Sequence, residues 1–352
     1  MREIGVAELR DIARGAAVLG TGGGGDPYIG RLLAEQAIRA HGPVPLVTVD
    51  EVPGDALVVP SAMIGAPTVM VEKLPAGGEA ASALRALEAV LGRRVTHTVS
   101  IEAGGLNSIV PFVTAAELGL PVVDADGMGR AFPEVQMVLC TLAGVAAAPL
   151  ALADEKGNSL VMRTISNEWA ERFARTATIE MGASAMMAVY ALSGAQLEEA
   201  MVPGTITLCE ELGALIRAER AAHGDPVGAV IERLGGRELT RGKVLDVARR
   251  TEGGFARGEA RIDGLRLHFQ NEHLLAVLDG EVVASAPDLI VVLDAETGEP
   301  VTTEALRYGQ RVVALGAPCD ARWRSAEGLA LAGPRVFGYE HDFVPVEGVA
   351  HV

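Results

Sequence analysis

From its first residues to about residue 126 the chain alternates helical spacing with short apolar runs, and that alternation leaves few folds open. Residues 7–19 put Leu9, Ile12, Ala13, Ala16 and Ala17 on one helical stripe. Residues 28–40, 78–91 and 108–119 read as further helices. Between them, residues 44–49, 56–60, 95–100 and 121–124 read as strands, with turn residues such as Pro53, Gly54 and Asp55 marking the breaks. Strands that alternate with helices predict an α/β fold with a parallel or mixed sheet covered by helices.

Farther along, residues 137–152 form the most apolar segment, and with Gly144 and Pro149 they predict a buried helix leading to a turn. Residues 157–163 read as a strand, and residues 169–192, 204–223 and 226–234 as largely helical. From about residue 242 the character changes. Short β-rich runs at 265–269, 274–278, 289–293 and 311–315 are separated by turns such as LDGE and AETGEP, the pattern of a small barrel or sandwich. The expected organisation is an α/β domain over residues 1–165, then a C-terminal domain over 166–352 whose helical segment precedes a β-rich barrel at about 236–352.

Charge narrows the partners. A net charge of -16 with no basic cluster argues against nucleic acid and anionic membrane surfaces. The N-terminus, MREIGVAELRDIARG, has no apolar signal core, and no uncharged apolar stretch approaches the ~18 residues of a membrane span. Cys140, Cys209 and Cys319 are odd in number and far apart, which argues against a disulfide framework and for a cytoplasmic location.

The chemistry is expected where strands end. Residues 120–136 read LPVVDADGMGRAFPEVQ: the run Val122-Val123 ends in Asp124 and Asp126, then come Gly127, Gly129, Arg130 and Glu134. Ligand sites in open α/β sheets lie at the carboxyl ends of strands. The two-residue strand period puts Asp124 and Asp126 on one face, and carboxylates that close bind a cation or share a proton. The plainer reading makes one a helix cap and leaves the other solvated. IEAGGLN repeats the pattern, with Glu102 at a strand end followed by Gly104, Gly105 and Asn107. Two such ends could converge in one cleft, or each could be an ordinary loop.

Four other segments carry polar chemistry. In GTGGGGDPYIG, the backbone of Gly22, Gly23, Gly24 and Gly25 can approach an anion such as a carboxylate, or simply turn the chain. Gly20, Gly22 and Gly25 satisfy GxGxxG and Asp50 lies at a ribose-binding distance, but a helix precedes the glycines and no Walker lysine follows, against a dinucleotide site. Asp26 and Pro27 suit an N-cap and first helical residue. Gly65, Ala66 and Pro67, then Val69, Met70, Val71, Glu72 and Lys73, read as a solvated helix start or as part of a site. In HFQNEH, His268, Gln270 and Glu272 would share one strand face, as zinc ligands or as a polar edge. The tail adds Tyr339, Glu340, His341 and Asp342, and nothing resembles a GxSxG elbow.

Taken in order, GTGGGGDPYIG, MIGAPTVMVEK, IEAGGLNS, VVDADGMGRAFPE and FQNEHLLA resemble the S-methyl thiohydantoin desulfurase family, formerly a hydantoin-utilisation-associated group. The resemblance runs from the glycine loop to GPRVFGY. It implies a three-layer α/β domain followed by a domain with a β-barrel, and a hydrolase that replaces sulfur by oxygen on a hydantoin-like ring. For that reaction Asp124 or Asp126 would orient water, directly or through zinc or another divalent metal, with Glu102 sharing the role. Metal-ligand candidates are Glu102, Asp126, His268 and Glu272. Lys73 or Arg130 would hold an anionic group together with the Gly22 to Gly25 backbone, Asn107 would hydrogen-bond the ring, and Glu134 completes the substrate-binding set. The other readings are a nucleotide-using subunit of a hydantoinase or oxoprolinase system, and a non-catalytic assembly module. The expected partner is a small hydantoin-like molecule, and a homo-oligomer is a prior expectation.

Overall fold

The structure is a computed structural model and describes residues 1–25, 27–65, 73, 76–252 and 255–348. Strand β1 (Arg2–Ile4) leads into helix α1 (Val6–Leu19), and α2 (Pro27–His41) follows the glycine turn. Then come β2 (Val44–Val47), β3 (Leu57–Gly65), α3 (Glu79–Leu91), β4 (His97–Ser100), α4 (Val110–Leu118) and β5 (Val122–Asp126). Strands β2, β5, β4 and β3 lie side by side in parallel, with Leu46 and Thr98 both beside Val122 and Val58 beside His97. Parallel neighbours need long crossovers, and the helices supply them. The segments after β4 and β5 therefore emerge at the same edge of the sheet.

The next stretch extends this sheet. It holds α5 (Leu139–Leu142), β6 (Leu150–Ala153), β7 (Ser159–Met162), α6 (Asn167–Glu180), β8 (Ser184–Ala188), β9 (Leu192–Ser193), α7 (Leu197–Ala200) and β10 (Val202–Pro203). The ten-stranded sheet has the order β1-β2-β5-β4-β3-β8-β6-β7, with β9 on β3 and β10 on β5. Its strands come from both sides of residue 165.

Two expectations fail in this stretch. Residues 137–152 are not one helix: after Leu139–Leu142 the chain turns at Gly144, φ +73°, and Leu150–Ala153 is a strand. Within residues 169–192, helix α6 ends at Glu180 and SAMMA forms β8 between β3 and β6. Both strands are buried along their whole length. Such burial removes the apolar–polar alternation that marks a strand in sequence.

Helices α8 (Thr205–Ala221) and α9 (Pro226–Leu234) complete the helical layer. Helices α1 and α8 approach very closely: a Cβ on Gly15 would lie 1.8 Å from the Cys209 carbonyl oxygen, and one on Gly213 would lie 2.0 Å from that of Asp11. Their apolar faces (Leu9, Ile12, Ile206, Leu212) belong to one core with Val44 and Val122 on the first sheet and Val291 and Leu315 on the second.

That second sheet comprises β11 (Arg237–Glu252), β12 (Phe255–Ile262), β13 (Leu265–Gln270), β14 (Glu272–Leu278), β15 (Glu281–Ser285), β16 (Leu289–Asp294) and β17 (Arg311–Ala317), before a short α10 (Ala326–Ala332). All its neighbours are antiparallel, in the order β15-β14-β13-β12-β11-β17-β16. The long β11 is bulged at two places and pairs β17 with its first half and β12 with its second. Bulges bend a strand, and the sheet curls so that β14 and β15 also approach β16. The result is a half-barrel around Val244, Ile262, Leu267 and Val292. Among the described residues no helix is long and apolar enough to cross a membrane.

Candidate functional site

Between the parallel-strand ends and the start of β14 lies a cleft of about 590 Å³, solvent at its mouth included. Small-molecule sites typically occupy about 300–1,000 Å³, with apolar walls and a few convergent polar groups. Met63, Met128, Phe132 and Met187 form apolar wall here, and Glu102, Asn107, Asn271 and Glu272 are the buried polar groups.

Glu102 follows β4 and is held in place by its neighbours. Asn107 Nδ2 donates to Glu102 Oε1 at 2.6 Å. The same amide clamps the end of β3, accepting from Met63 N at 2.7 Å and donating to Met63 O at 3.1 Å. Ser100 Oγ donates to the carbonyls of Glu102 and Asn107. Burial pushes the Glu102 carboxyl up to about 7, against the pull of Asn107, the Phe132 backbone and Arg130. It is therefore poised to exchange a proton near neutrality.

Glu272 comes from the other domain. HFQNEH is not one strand, which corrects the expectation of a shared face for His268, Gln270 and Glu272. Asn271 takes a left-handed φ of +58° and the chain doubles back, pairing Gln270 with Glu272 and Phe269 with His273. Asn tolerates that conformation. The turn is pinned by Asn271 Oδ1 accepting from Ala256 N and by Thr303 Oγ1 donating to Asn271 O. Glu272 is thereby buried against the cleft, with Oε2 lacking a hydrogen-bond partner among the described residues. Burial, then the charge of Glu102, holds its carboxyl well above the usual range, while Arg130 pulls the other way. His273 is also fully buried, and burial lowers its imidazole to about 4, so it is neutral at pH 7.

The glycine loop fits against this turn. A Cβ on Gly23 would lie 1.9 Å from Glu272 Oε1, and one on Gly22 would lie 2.7 Å from His273 Cε1. Gly22 O accepts from Thr303 N and Thr303 Oγ1, and Thr21 O from His273 N. Gly24 and Gly25, both at positive φ, line the cleft directly. The loop follows helix α1, so the strand-first geometry of a dinucleotide fingerprint is absent. Asp26 and the residues 66–72, with Ala66, Pro67, Val69, Met70, Val71 and Glu72, lie outside the described residues.

The two aspartates share the side of β5 that meets α8, but their oxygens are occupied. Asp124 accepts from Thr207 N at 3.0 Å and from Thr207 Oγ1, at the start of α8. Asp126 accepts from the backbone N–H groups of Ala103, Met128 and Gly129 at 2.8–2.9 Å. It fastens the loops after β4 and β5 together behind the cleft, and neither aspartate lines it. Burial raises Asp126 to about 7 against those donors.

Arg130 is not free to hold a substrate anion. It is fully buried, and its five N–H groups are matched by Ala131 O, Pro287 O, Asp288 O, Thr21 Oγ1 and His273 O. The side chain joins the two domains, and its guanidinium lies 4.4 Å from the centroid of Phe132, which packs edge-on against Trp323. Burial lowers it to about 10, so it stays charged at neutral pH. Lys73 is likewise engaged, donating to Met181 O and Ser184 O and pairing with Glu155. The cation that lines the cleft is Arg175 of α6, which sequence reasoning missed. Glu171 and Pro133 O orient it, and it lies 4.6 Å from the centroid of Phe255. Glu134 lines the cleft and accepts from Gln136.

The four metal candidates do not assemble. His268 lies on β13 beside Glu259 and Tyr339, away from the turn that carries Glu272. Among the described residues no three His, Cys, Asp or Glu side chains form a metal-binding group. Glu102 and Glu272 instead both line the cleft, close enough for the charge of Glu102 to raise the Glu272 carboxyl.

Two family models match the chain: S-Me-THD-like, N-terminal domain, over residues 7–164, and S-Me-THD-like, C-terminal domain, over residues 165–346. Among solved structures, the X-ray crystal structure of a protein from Chromobacterium violaceum is 27% identical, with a TM-score of 0.83 and coverage of 98% of this chain and 100% of that one. A search of curated proteins gives no match.

Proposed function

The chain belongs to the S-Me-THD-like family, and from that premise we propose that it hydrolyses an S-methyl thiohydantoin or related thiohydantoin, replacing sulfur by oxygen. One observation carries the reading: Glu102 and Glu272 line one largely apolar cleft, and burial raises both carboxyls, Glu102 to about 7 and Glu272 well above the usual range. Two carboxyls that burial makes readier to hold a proton, in one cleft, suit proton transfer to and from a reacting ring.

In this reading Glu102 acts as the base and Glu272 as the acid. Ionised Glu102 takes a proton from water as the oxygen attacks the ring carbon that bears sulfur. Protonated Glu272 gives its proton to the adjacent ring nitrogen. The tetrahedral adduct then collapses: the carbon–sulfur bond breaks, the hydroxyl proton returns to Glu272, and the thiolate leaves with the proton held on Glu102. The products are a hydantoin carbonyl and methanethiol, and both carboxyls are restored.

The remaining residues support this assignment. Asn107 orients Glu102, and Asp126 holds the loops on which it stands. Asp124 caps α8 and takes no part in the proposed chemistry. Met63, Met128 and Met187 offer a soft apolar wall for the methylthio group. Arg175, which lines the same cleft as the Gly24 and Gly25 backbone, replaces Lys73 and Arg130 as the group to hold an anionic substituent. The proton transfers use the chain's own carboxyls; among the described residues Glu102, Asp126, His268 and Glu272 form no metal-ligand set.

The test is turnover of an S-methyl thiohydantoin in ¹⁸O-labelled water. The proposal expects methanethiol and one ¹⁸O in the product ring carbonyl. Absence of methanethiol with S-methyl substrates, and of sulfide with the unmethylated ring, overturns it.

A further inference from the structure

A second cavity lies on the half-barrel, outside the cleft of Glu102 and Glu272. Antiparallel pairing of β11, β12 and β13 sets Arg250, Arg257 and Gln270 in one row, and Ala248, Glu259 and His268 in the next. The two-residue period places both rows on one face of the sheet. Phe337 and Tyr339 complete the walls of an open cavity of about 990 Å³. Gln270 lines this cavity and Asn271 lines the first, so the hairpin turn separates them.

The charges in this cavity do not balance. Arg250 and Arg257 stand directly opposite each other on neighbouring strands, where like charges destabilise a sheet. Arg250 reaches Glu252 at 3.0 Å, but both side chains are exposed, and such pairs contribute little. Glu259 faces His268 at 3.6 Å. Among the described residues Arg257 has no ion pair, and its Nε is buried without a hydrogen-bond partner. The chain has 46 acidic residues against 30 basic ones, so a carboxylate-free arginine is not for lack of acids. A planar guanidinium with unused donors matches an oxyanion in a fork-like contact.

We propose that this cavity is a second ligand site, for a small molecule bearing a carboxylate or phosphate group. Arg257 and Arg250 bind the oxyanion, and Tyr339 and Phe337 cover the less polar part. The test is titration calorimetry of the full chain with citrate and, separately, pyrophosphate at low ionic strength. The wild type is expected to bind at least one with 1:1 saturation, the preferred probe distinguishing carboxylate from phosphate. Arg257→Gln should weaken that binding at least tenfold, while Arg241→Gln, elsewhere on β11, should not. If Arg257→Gln fails to fold, the exposed Arg250→Gln carries the same expectation. No saturable binding of either anion by the wild type, or unchanged affinity in the Arg257 or Arg250 variant, overturns the proposal.

Discussion

Replacing Gly23 by alanine should destabilise the protein through one contact, with Glu272. The new Cβ would lie 1.9 Å from Glu272 Oε1, 2.5 Å from its Cδ and 2.8 Å from its Cγ, where carbon contacts normally need about 3.5–4 Å. Glu272 is buried, so it cannot swing into solvent. Overpacking of this kind typically costs about 1–3 kcal/mol. Gly23 does not occupy the left-handed region, so alanine also stiffens the unfolded chain, which offsets about 0.4–1 kcal/mol. The expected net loss is about 1–2 kcal/mol. In a Glu272→Ala background the obstacle is gone, and Gly23→Ala should be neutral or slightly stabilising. Denaturant midpoints of the four proteins give the coupling directly. Equal losses in the two backgrounds would refute the claim that the glycine loop makes room for Glu272.

Other expectations concern the groups around the pair. Arg130→Met leaves its carbonyl acceptors unmatched in the domain junction, and should cost about 3–5 kcal/mol in denaturant unfolding; a loss below about 1 kcal/mol would contradict its bridging role. Asn107→Ala removes a donor that favours ionised Glu102, so the acid limb of the pH–kcat/KM profile should move to higher pH, and an unmoved limb would separate Glu102 from that limb. Glu102 itself titrates near 7 in the folded protein, above its ordinary 4.5. Its contribution to stability is therefore complete below the ordinary value and is lost as pH rises through 7. Glu102→Gln should thus reduce the fall in unfolding free energy between about pH 5 and pH 8, and an unchanged slope would count against a raised Glu102.

Much of the fold is legible in the sequence where one face of an element is buried and the other wet. Helices α1 and α2 show their apolar stripes; β16 and β17, although buried on both faces, stand out as β-branched apolar runs between turns. Strand β8 is hidden because SAMMA is buried throughout and built from helix-forming Ala and Met. The break at Asn271 is hidden because HFQNEH contains neither Gly nor Pro, so only the backbone conformation reveals the hairpin.

The site is legible in part for the same reason. Glu102, Asn107 and the glycine loop announce themselves at strand and helix ends. Spacing cannot say that Asp126 spends its oxygens on three backbone N–H groups, or that the donors of Arg130 are matched by carbonyls from residues 273, 287 and 288. Nor can local pattern bring Glu272 to Glu102. Their meeting depends on the half-barrel docking against the ends of the parallel strands. Arg175 looks like any helix-surface arginine until α6 is packed beside the cleft.

The proposed reaction requires Glu102 to activate water at this cleft. Its most direct test is the steady-state rate of methanethiol release from an S-methyl thiohydantoin by the wild type and by Glu102→Gln, with folding checked by the unfolding midpoint. Loss of a general base typically lowers turnover by about 10²–10⁴-fold. A drop of that size in a folded Glu102→Gln protein is the predicted result, and wild-type turnover by that variant would contradict the account.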